Sequence, residues 1–150
     1  MPVRRIIVQE VTNMNVTDSL TVTCENPLYS PVGPADPSEC NVALYNVAFT
    51  NNPVPTVAFS YDAQLKYAYL QNGATFEQFC DVLNQSRAVT FEGDVSVCSD
   101  ELFSITSSFT NDPSALTTTS SSVACNVTFD FVLNNLCAQT LIAVEDTIMP

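Results

Sequence analysis

One parity of residues 123–133 is wholly apolar, whereas Asn126, Thr128 and Asp130 lie on the other parity. A period of two places alternate side chains on opposite faces of a β-strand. We therefore predict an amphipathic strand with one buried face, which restricts the chain to folds in which a sheet covers a core. The apolar positions are Val123, Cys125, Val127, Phe129, Phe131 and Leu133.

Further strand patterns predict a mainly β protein. Residues 3–11 and 19–24 read as two strands, and residues 56–61 and 64–70 read as a strand pair. Residues 41–50 are apolar at nearly every position, which is typical of a central strand covered on both faces. A turn at Asn134-Asn135 followed by residues 137–144 predicts a C-terminal hairpin.

One helix is predicted, at about residues 75–85. Thr75 and Gln78 match the T-x-x-Q capping box, in which each side chain bonds to the backbone of the first helical turn. Apolar side chains follow at helical spacing. They are Phe76, Phe79, Cys80 and Leu83.

Two segments are poor candidates for strands. Residues 25–39 contain four prolines, which remove ladder donors, so we predict an ordered surface loop. Residues 106–122 are rich in Ser and Thr, and we predict an exposed loop there rather than a long hairpin tip. The whole chain, residues 1–150, is then a single β domain: an antiparallel β-sandwich or jelly-roll-like domain with one short helix.

The charge distribution argues against nucleic acid as a partner. The formal net charge is −12, and only Arg4, Arg5, Lys66 and Arg87 are basic, so a phosphate backbone would be repelled. Two of these bases lie in the first five residues. Residues 1–10 are therefore either an interaction arm or edge strand that docks on an acidic neighbour, such as another copy of the chain, or a solvated end.

Six cysteines form an even set, as a disulfide framework requires: Cys24, Cys40, Cys80, Cys98, Cys125 and Cys137. Cys24 and Cys125 lie on apolar strand faces, where a bridge would tie two sheets together, and Cys80 with Cys98 is a second plausible pair. Residues 1–10 lack the apolar region of a secretory signal. The cysteines thus belong to a processed secreted form, to a protein oxidised after cell lysis, or to a protein whose thiols stay buried and reduced.

The chain lacks the residue types that several classes of catalytic and binding site require. The chain has no histidine, which removes Ser-His-Asp and Cys-His catalysis and imidazole metal sites. With three glycines it has no phosphate-cradling loop, and it has no C-x-x-C pair. We predict a non-enzyme with no catalytic residue, no metal and no cofactor. No apolar run is long enough for a membrane span.

Four pieces of the chain carry a resemblance: YNVAFTNN at 45–52, YLQNGATF at 69–76, residues 79–84, and ITS at 105–107. In this order they resemble β-sandwich minor structural proteins, capsid- or tail-associated, of double-stranded DNA viruses and phages. The likeness covers under half of the chain. It implies strands around a capped helix and brings no catalytic residues.

The resulting hypothesis is a structural virion protein, such as a minor capsid, decoration or tail-associated subunit, that acts through contacts with other protein subunits. Acidity suits the outside of a particle, and the flanking apolar β segments suit strand exchange. The alternative is an extracellular binding or adhesion module that recognises glycan or protein through the proline-rich and Ser/Thr-rich loops.

Overall fold

The computed structural model describes residues 3–51, 54–92 and 101–144, most of which lie in β-strands. The strands form two antiparallel sheets that pack together, as predicted for a sandwich. The chain also contains a 3-10 helix at Pro113–Ala115. The strands are β1 (Val3–Glu25), β2 (Pro31–Pro34), β3 (Cys40–Asn51), β4 (Pro55–Gln71), β5 (Ala74–Thr90), β6 (Glu101–Asn111), β7 (Thr117–Thr119) and β8 (Ser122–Val144).

Sheet A contains β1, β6, β7 and β8, with β8 in the middle. β1 pairs with β8 without interruption, from Val3 opposite Val144 to Glu25 opposite Ser122. On the other side of β8, β7 and β6 follow each other along its length. The predicted turn at Asn134-Asn135 is wrong, because both residues lie inside β8 and pair with β1.

Sheet B contains β2, β3, β4 and β5, with β4 in the middle. β5 lies on one side of β4, and β2 and β3 follow each other along the other side. Each of these three ladders contains a shift of register, at Pro31/Gly33, Tyr45/Ala48 and Tyr61/Ala63. Shifts of this kind are β-bulges, which bend a strand and re-aim its side chains.

The core lies between the sheets, on the face that the alternation of residues 123–133 predicts. The Phe59 ring of β4 reaches across to Phe129 and Phe131 of β8, with centroid distances of 5.0 and 4.8 Å. Burying such side chains contributes about 1.5–3 kcal/mol each. The largest fully buried side chains are Tyr67, Phe59, Phe129, Phe131, Leu65 and Leu133.

The predicted helix at residues 75–85 is wrong, because this segment lies within strand β5. Asn72 and Gly73 have positive φ values of 54° and 78°, which a tight hairpin between β4 and β5 requires. Of the apolar residues at helical spacing only Cys80 is buried, whereas Phe76 and Leu83 are 46% and 52% exposed. Pairing with β4 along its length therefore outweighs a local capping signal.

Other boundaries also differ from the prediction. Residues 3–11 and 19–24 belong to one strand, β1, and residues 56–61 and 64–70 belong to one strand, β4. Residues 41–50 are not central, because among the described strands β3 pairs with β4 alone. In residues 106–122, β6 continues to Asn111 and β7 follows, so the loop prediction holds only between these strands.

Candidate functional site

On one side of the sandwich, β1 of sheet A lies over β5 of sheet B. A disulfide links Cys24 to Cys80, whose Cα atoms are 6.0 Å apart. Farther along the same strands, Arg87 Nε donates to Asp18 Oδ2 at 2.6 Å, and a second guanidinium N–H donates to Oδ1 at 3.0 Å. Such two-point ion pairs fix geometry as well as adding energy. We call this side the disulfide edge.

The disulfide confirms that cysteines tie the two sheets together, but the partners differ from both predicted pairs. Cys24 and Cys125 are buried, as predicted, yet they lie on neighbouring strands of one sheet, since Cys24 opposes Val123 and Cys125 opposes Val22. A bridge between sheets needs a cysteine from sheet B. Cys80 of β5 supplies it.

For the other four predicted site residues the structure gives at most the position of the backbone in a strand. Cys98 lies outside the described residues. Cys137 lies in β8, opposite Glu10 on one side and Glu101 on the other. Arg4 and Arg5 lie in β1, opposite Ala143 and Ile142 of β8. The predicted arm is therefore part of a paired strand.

Two further cysteines meet between the sheets. Cys40, at the start of β3, and Cys125, in β8, are free and buried, with exposed fractions of 5% and 1%. Burial raises the pKa of Cys40 to about 12, and the side-chain hydrogen bond with Cys125 adds to this shift. Burial also raises the pKa of Cys125. Both therefore remain thiols at neutral pH, and neither is a ready nucleophile.

The surroundings of this thiol pair hold β3 and β6 together. Asn111 at the end of β6 donates through Nδ2 to the carbonyl oxygen of Cys40 at 2.8 Å. Farther along the same strands, the Phe49 and Phe103 rings are 4.9 Å apart. We call the side on which β3 faces β6 the thiol edge; Cys40 and Cys125 lie near one end of these strands.

A polar cluster lies on the outer face of sheet B, where two bulges flank Asp62 of β4. Asn46 in β3 and Asn84 in β5 have positive φ values of 54° and 56°. Asp62 Oδ1 accepts from the Asn84 backbone N–H at 2.7 Å and lies 2.9 Å from the Tyr45 hydroxyl. Loss of solvent contact, together with this hydrogen bond, raises the pKa of Tyr45. One carboxylate thus pins both bulged strands to the central strand.

Beside this cluster is a groove of about 240 Å³. Asp62 and Gln64 of β4 line its floor, Asn41 and Ala43 of β3 line one side, and Leu83 of β5 lines the other. Leu83 is half exposed. The groove thus combines carboxylate and amide groups, which bond to hydroxyls, with an apolar wall.

Farther along the same face, Lys66 of β4 joins two acidic side chains. Its Nζ lies 3.0 Å from Glu77 and 3.5 Å from Glu39, and 5.8 Å from the centroid of the Phe79 ring. The hydrogen bond to Lys66 lowers the pKa of Glu77, and the same bond raises the pKa of Lys66. The Lys66–Glu77 pair joins β4 to β5, and the Lys66–Glu39 pair joins β4 to the residue before β3; exposed pairs of this kind add little stability.

The proline-rich and Ser/Thr-rich segments meet at one end of the sandwich. Asn26 N–H donates to the Ser121 carbonyl oxygen at 2.8 Å, and Ser30 Oγ donates to the Ser120 carbonyl oxygen at 2.7 Å. Leu28, in the same loop, is 76% exposed. The two loops therefore form one surface, as the alternative hypothesis of a loop-based binding module requires.

Sequence reasoning missed the Asp62 cluster. Its signal is weak, because a left-handed residue at Asn46 or Asn84 is only suggested by the tolerance of asparagine for positive φ. Neither residue is near Asp62 in sequence. The cluster depends on the register of three strands, which no local pattern encodes.

In comparisons with known proteins, no protein-family model, curated protein or solved structure matches the chain. Within residues 3–51, 54–92 and 101–144, no group of three His, Cys, Asp or Glu side chains is arranged to hold a metal ion. Across that same part of the chain, no helix has the length and apolar character to cross a membrane.

Proposed function

We propose that this chain is a structural virion subunit that acts through contacts with other protein subunits. The observation that carries the proposal is an extension of the β1–β8 ladder. Val3 to Gln9 pair with Ala138 to Val144, whereas the β6–β8 pairing begins at Glu101 opposite Cys137. In the part of the chain that the structure describes, this extension is a ribbon of two strands.

Among the described residues, Ala138 to Val144 pair with β1 alone, and β1 pairs with β8 alone. Two strands alone are marginal in water, and a strand edge without a neighbour offers its backbone groups to an incoming strand. The ribbon is also rich in apolar residues, with Ile6, Ile7 and Val8 in one strand and Leu141 and Ile142 in the other. A neighbouring subunit that adds a strand would complete the sheet.

Charge favours another copy of the chain as that neighbour. Arg4 and Arg5 lie in the ribbon, and the remainder of the chain carries two basic residues against sixteen acidic ones. A basic ribbon and an acidic body attract each other across a contact between copies. Repeated contacts of this type build the symmetric assemblies of which virion subunits are part.

Sedimentation velocity tests this contact on the full chain. We expect the wild type to self-associate and the double variant Arg4→Ser/Arg5→Ser to associate at least about tenfold more weakly. The control Gln71→Glu/Ser120→Glu lowers the net charge by the same two units at exposed positions and should associate as the wild type does. A wild type that stays monomeric, or equal loss in both variants, would contradict the contact.

Mass spectrometry of purified virus particles from the source tests the location. We expect peptides of this chain in the particles at a fixed ratio to the other structural proteins. Purified particles whose mass spectrum contains no peptide of this chain would rule out a virion role.

A second candidate function, a glycan-binding module outside the cell, is favoured by the groove beside Asp62. Its amide and carboxylate groups suit sugar hydroxyls, and Leu83 offers an apolar contact for a ring face. NMR titration with a panel of neutral oligosaccharides should then shift the resonances of Asn41, Gln64 and Leu83. Gln64→Ala should weaken binding at least fivefold, whereas Thr128→Ala on sheet A should not. Absence of shifts at millimolar sugar would exclude this function.

A further inference from the structure

Cys40 and Cys125 are arranged as the two halves of a bridge between the sheets. Cys40 begins β3 of sheet B, and Cys125 lies in β8 of sheet A. Each is buried, and both lie against the end of β6: Asn111 Nδ2 donates to the Cys40 carbonyl oxygen at 2.8 Å, and Cys125 Sγ lies 3.8 Å from the carbonyl oxygen of the next residue, Asp112. Both are free thiols.

We propose that Cys40 and Cys125 form a second disulfide, which closes the thiol edge as Cys24–Cys80 closes the disulfide edge. Each bridge then joins sheet A to sheet B, Cys24–Cys80 through β1 and β5 and Cys40–Cys125 through β8 and β3. The second bridge ties the start of β3 to the central strand of sheet A.

The chemistry requires an oxidant of the low-molecular-weight disulfide class, such as oxidised glutathione. One cysteine thiolate attacks a sulfur of glutathione disulfide, which forms a mixed disulfide and releases one glutathione. The second cysteine thiolate then attacks the protein sulfur of the mixed disulfide and releases the second glutathione. The two cysteines lose two electrons and two protons, and both are gained by the two glutathione molecules.

This second bridge forms late in folding or during opening of the edge. In the closed fold both thiols are buried and their pKa values are raised, so the attacking thiolate is scarce and the oxidant has no access. In the unfolded or partly open chain both obstacles are absent. A protein folded in a reducing compartment therefore keeps this pair as thiols, and it gains the bridge when it is opened or refolded in an oxidising one.

Peptide mapping of the full chain tests the pairing. The protein is unfolded and reduced, refolded at pH 8 in a glutathione redox buffer, and treated with iodoacetamide before digestion under non-reducing conditions. We expect a Cys40–Cys125 cross-linked peptide beside the Cys24–Cys80 one. Thermal unfolding should show a Tm about 10 °C above that of the form with only Cys24–Cys80, since the new bridge closes a long loop.

Matched variants separate the bridge from general effects of oxidation. Cys40→Ala and Cys125→Ala should each lose the gain in Tm while keeping Cys24–Cys80, whereas Cys98→Ala/Cys137→Ala should keep it. Alkylation of Cys40 and Cys125 after oxidative refolding would overturn the proposal, as would a bond from either to Cys98 or Cys137. The peptide map uses the wild-type chain, so it tests the proposal even if a variant folds poorly.

Discussion

The two edges of the sandwich hold the sheets together by different means. At the disulfide edge, β1 and β5 are joined by a covalent bond and by the Asp18–Arg87 ion pair. At the thiol edge, β3 and β6 are joined by contact of the Phe49 and Phe103 rings and by one side-chain hydrogen bond to the backbone. With Cys40 and Cys125 as thiols, the disulfide edge depends on redox state and ionic strength, whereas the thiol edge depends on packing.

The largest expected difference between the edges comes from removing their cysteines. Cys24→Ala/Cys80→Ala should lower the free energy of unfolding by about 4 kcal/mol, because the bridge closes a loop with a sequence separation of 56 residues. Cys40→Ala/Cys125→Ala, with these two cysteines as thiols in the parent, should lower it by only about 1 kcal/mol per site. Urea unfolding under non-reducing conditions measures both. Equal losses would show that the edges do not differ.

High pH should weaken the thiol edge selectively. The pKa of Cys40 rises from an ordinary 9.0 to about 12 in the folded chain. Above pH 9 the thiol ionises in the unfolded chain but stays protonated in the folded one, so the folded state binds more protons. Stability from this group is then complete below pH 9 and is lost as the pH rises to about 12, at about 1.4 kcal/mol per pH unit.

Urea unfolding at pH 8, 9, 10 and 11 tests this loss. The parent carries Cys24–Cys80 with Cys40 and Cys125 as thiols, and Cys40→Ala/Cys125→Ala is the reference, because the other groups are the same in both proteins. The parent should lose more stability than the reference, and Cys125, whose pKa is also raised by burial, adds in the same direction. Parallel curves would contradict the prediction.

The smallest expected effect is that of the ion pair at the disulfide edge. Asp18→Asn should lower the free energy of unfolding by about 1 kcal/mol in low salt, and by less in high salt, because the Arg87 side chain is 41% exposed. Asp130→Asn, on the exposed outer face of sheet A, should change it by no more than about 0.5 kcal/mol. If Asp18→Asn lowers the free energy of unfolding equally at low and high salt, Asp18 acts through packing rather than through its charge.

The core strand of sheet A could be predicted because its information is local. The parity of residues 123–133 places Phe129, Phe131 and Leu133 on one face, and all three are fully buried. A chain segment with one apolar parity has one stable arrangement on a sheet, whichever strands flank it. This pattern does not predict which strands pair with residues 123–133.

The wrong helix shows how two local signals compete. Thr75 and Gln78 suggest a cap, but Asn72-Gly73 directly before them is the strongest short hairpin signal, and it determines the structure. The spacing of Phe76, Phe79 and Leu83 misled because β5 buries little of its apolar surface. An edge strand with a bulge at Asn84 does not keep strict alternation.

The cysteine pairing could not be predicted for a different reason. Cys24 and Cys80 meet only after two sheets have formed and packed, and β1 and β5 belong to different sheets. Parity identifies which cysteines face inward, as it does for Cys24 and Cys125. It does not identify the strand that lies across the core.

The β1–β8 ladder also determines how the chain responds to mechanical force. Val3 lies directly opposite Val144, so a pull that separates the two strands at that end loads the ladder pairs in succession rather than together. Peeling then proceeds along β1 toward Glu25. Cys24 is one residue from the end of that strand and is bonded to Cys80, so a peeled β1 remains tethered to sheet B and can pair again when the load is released.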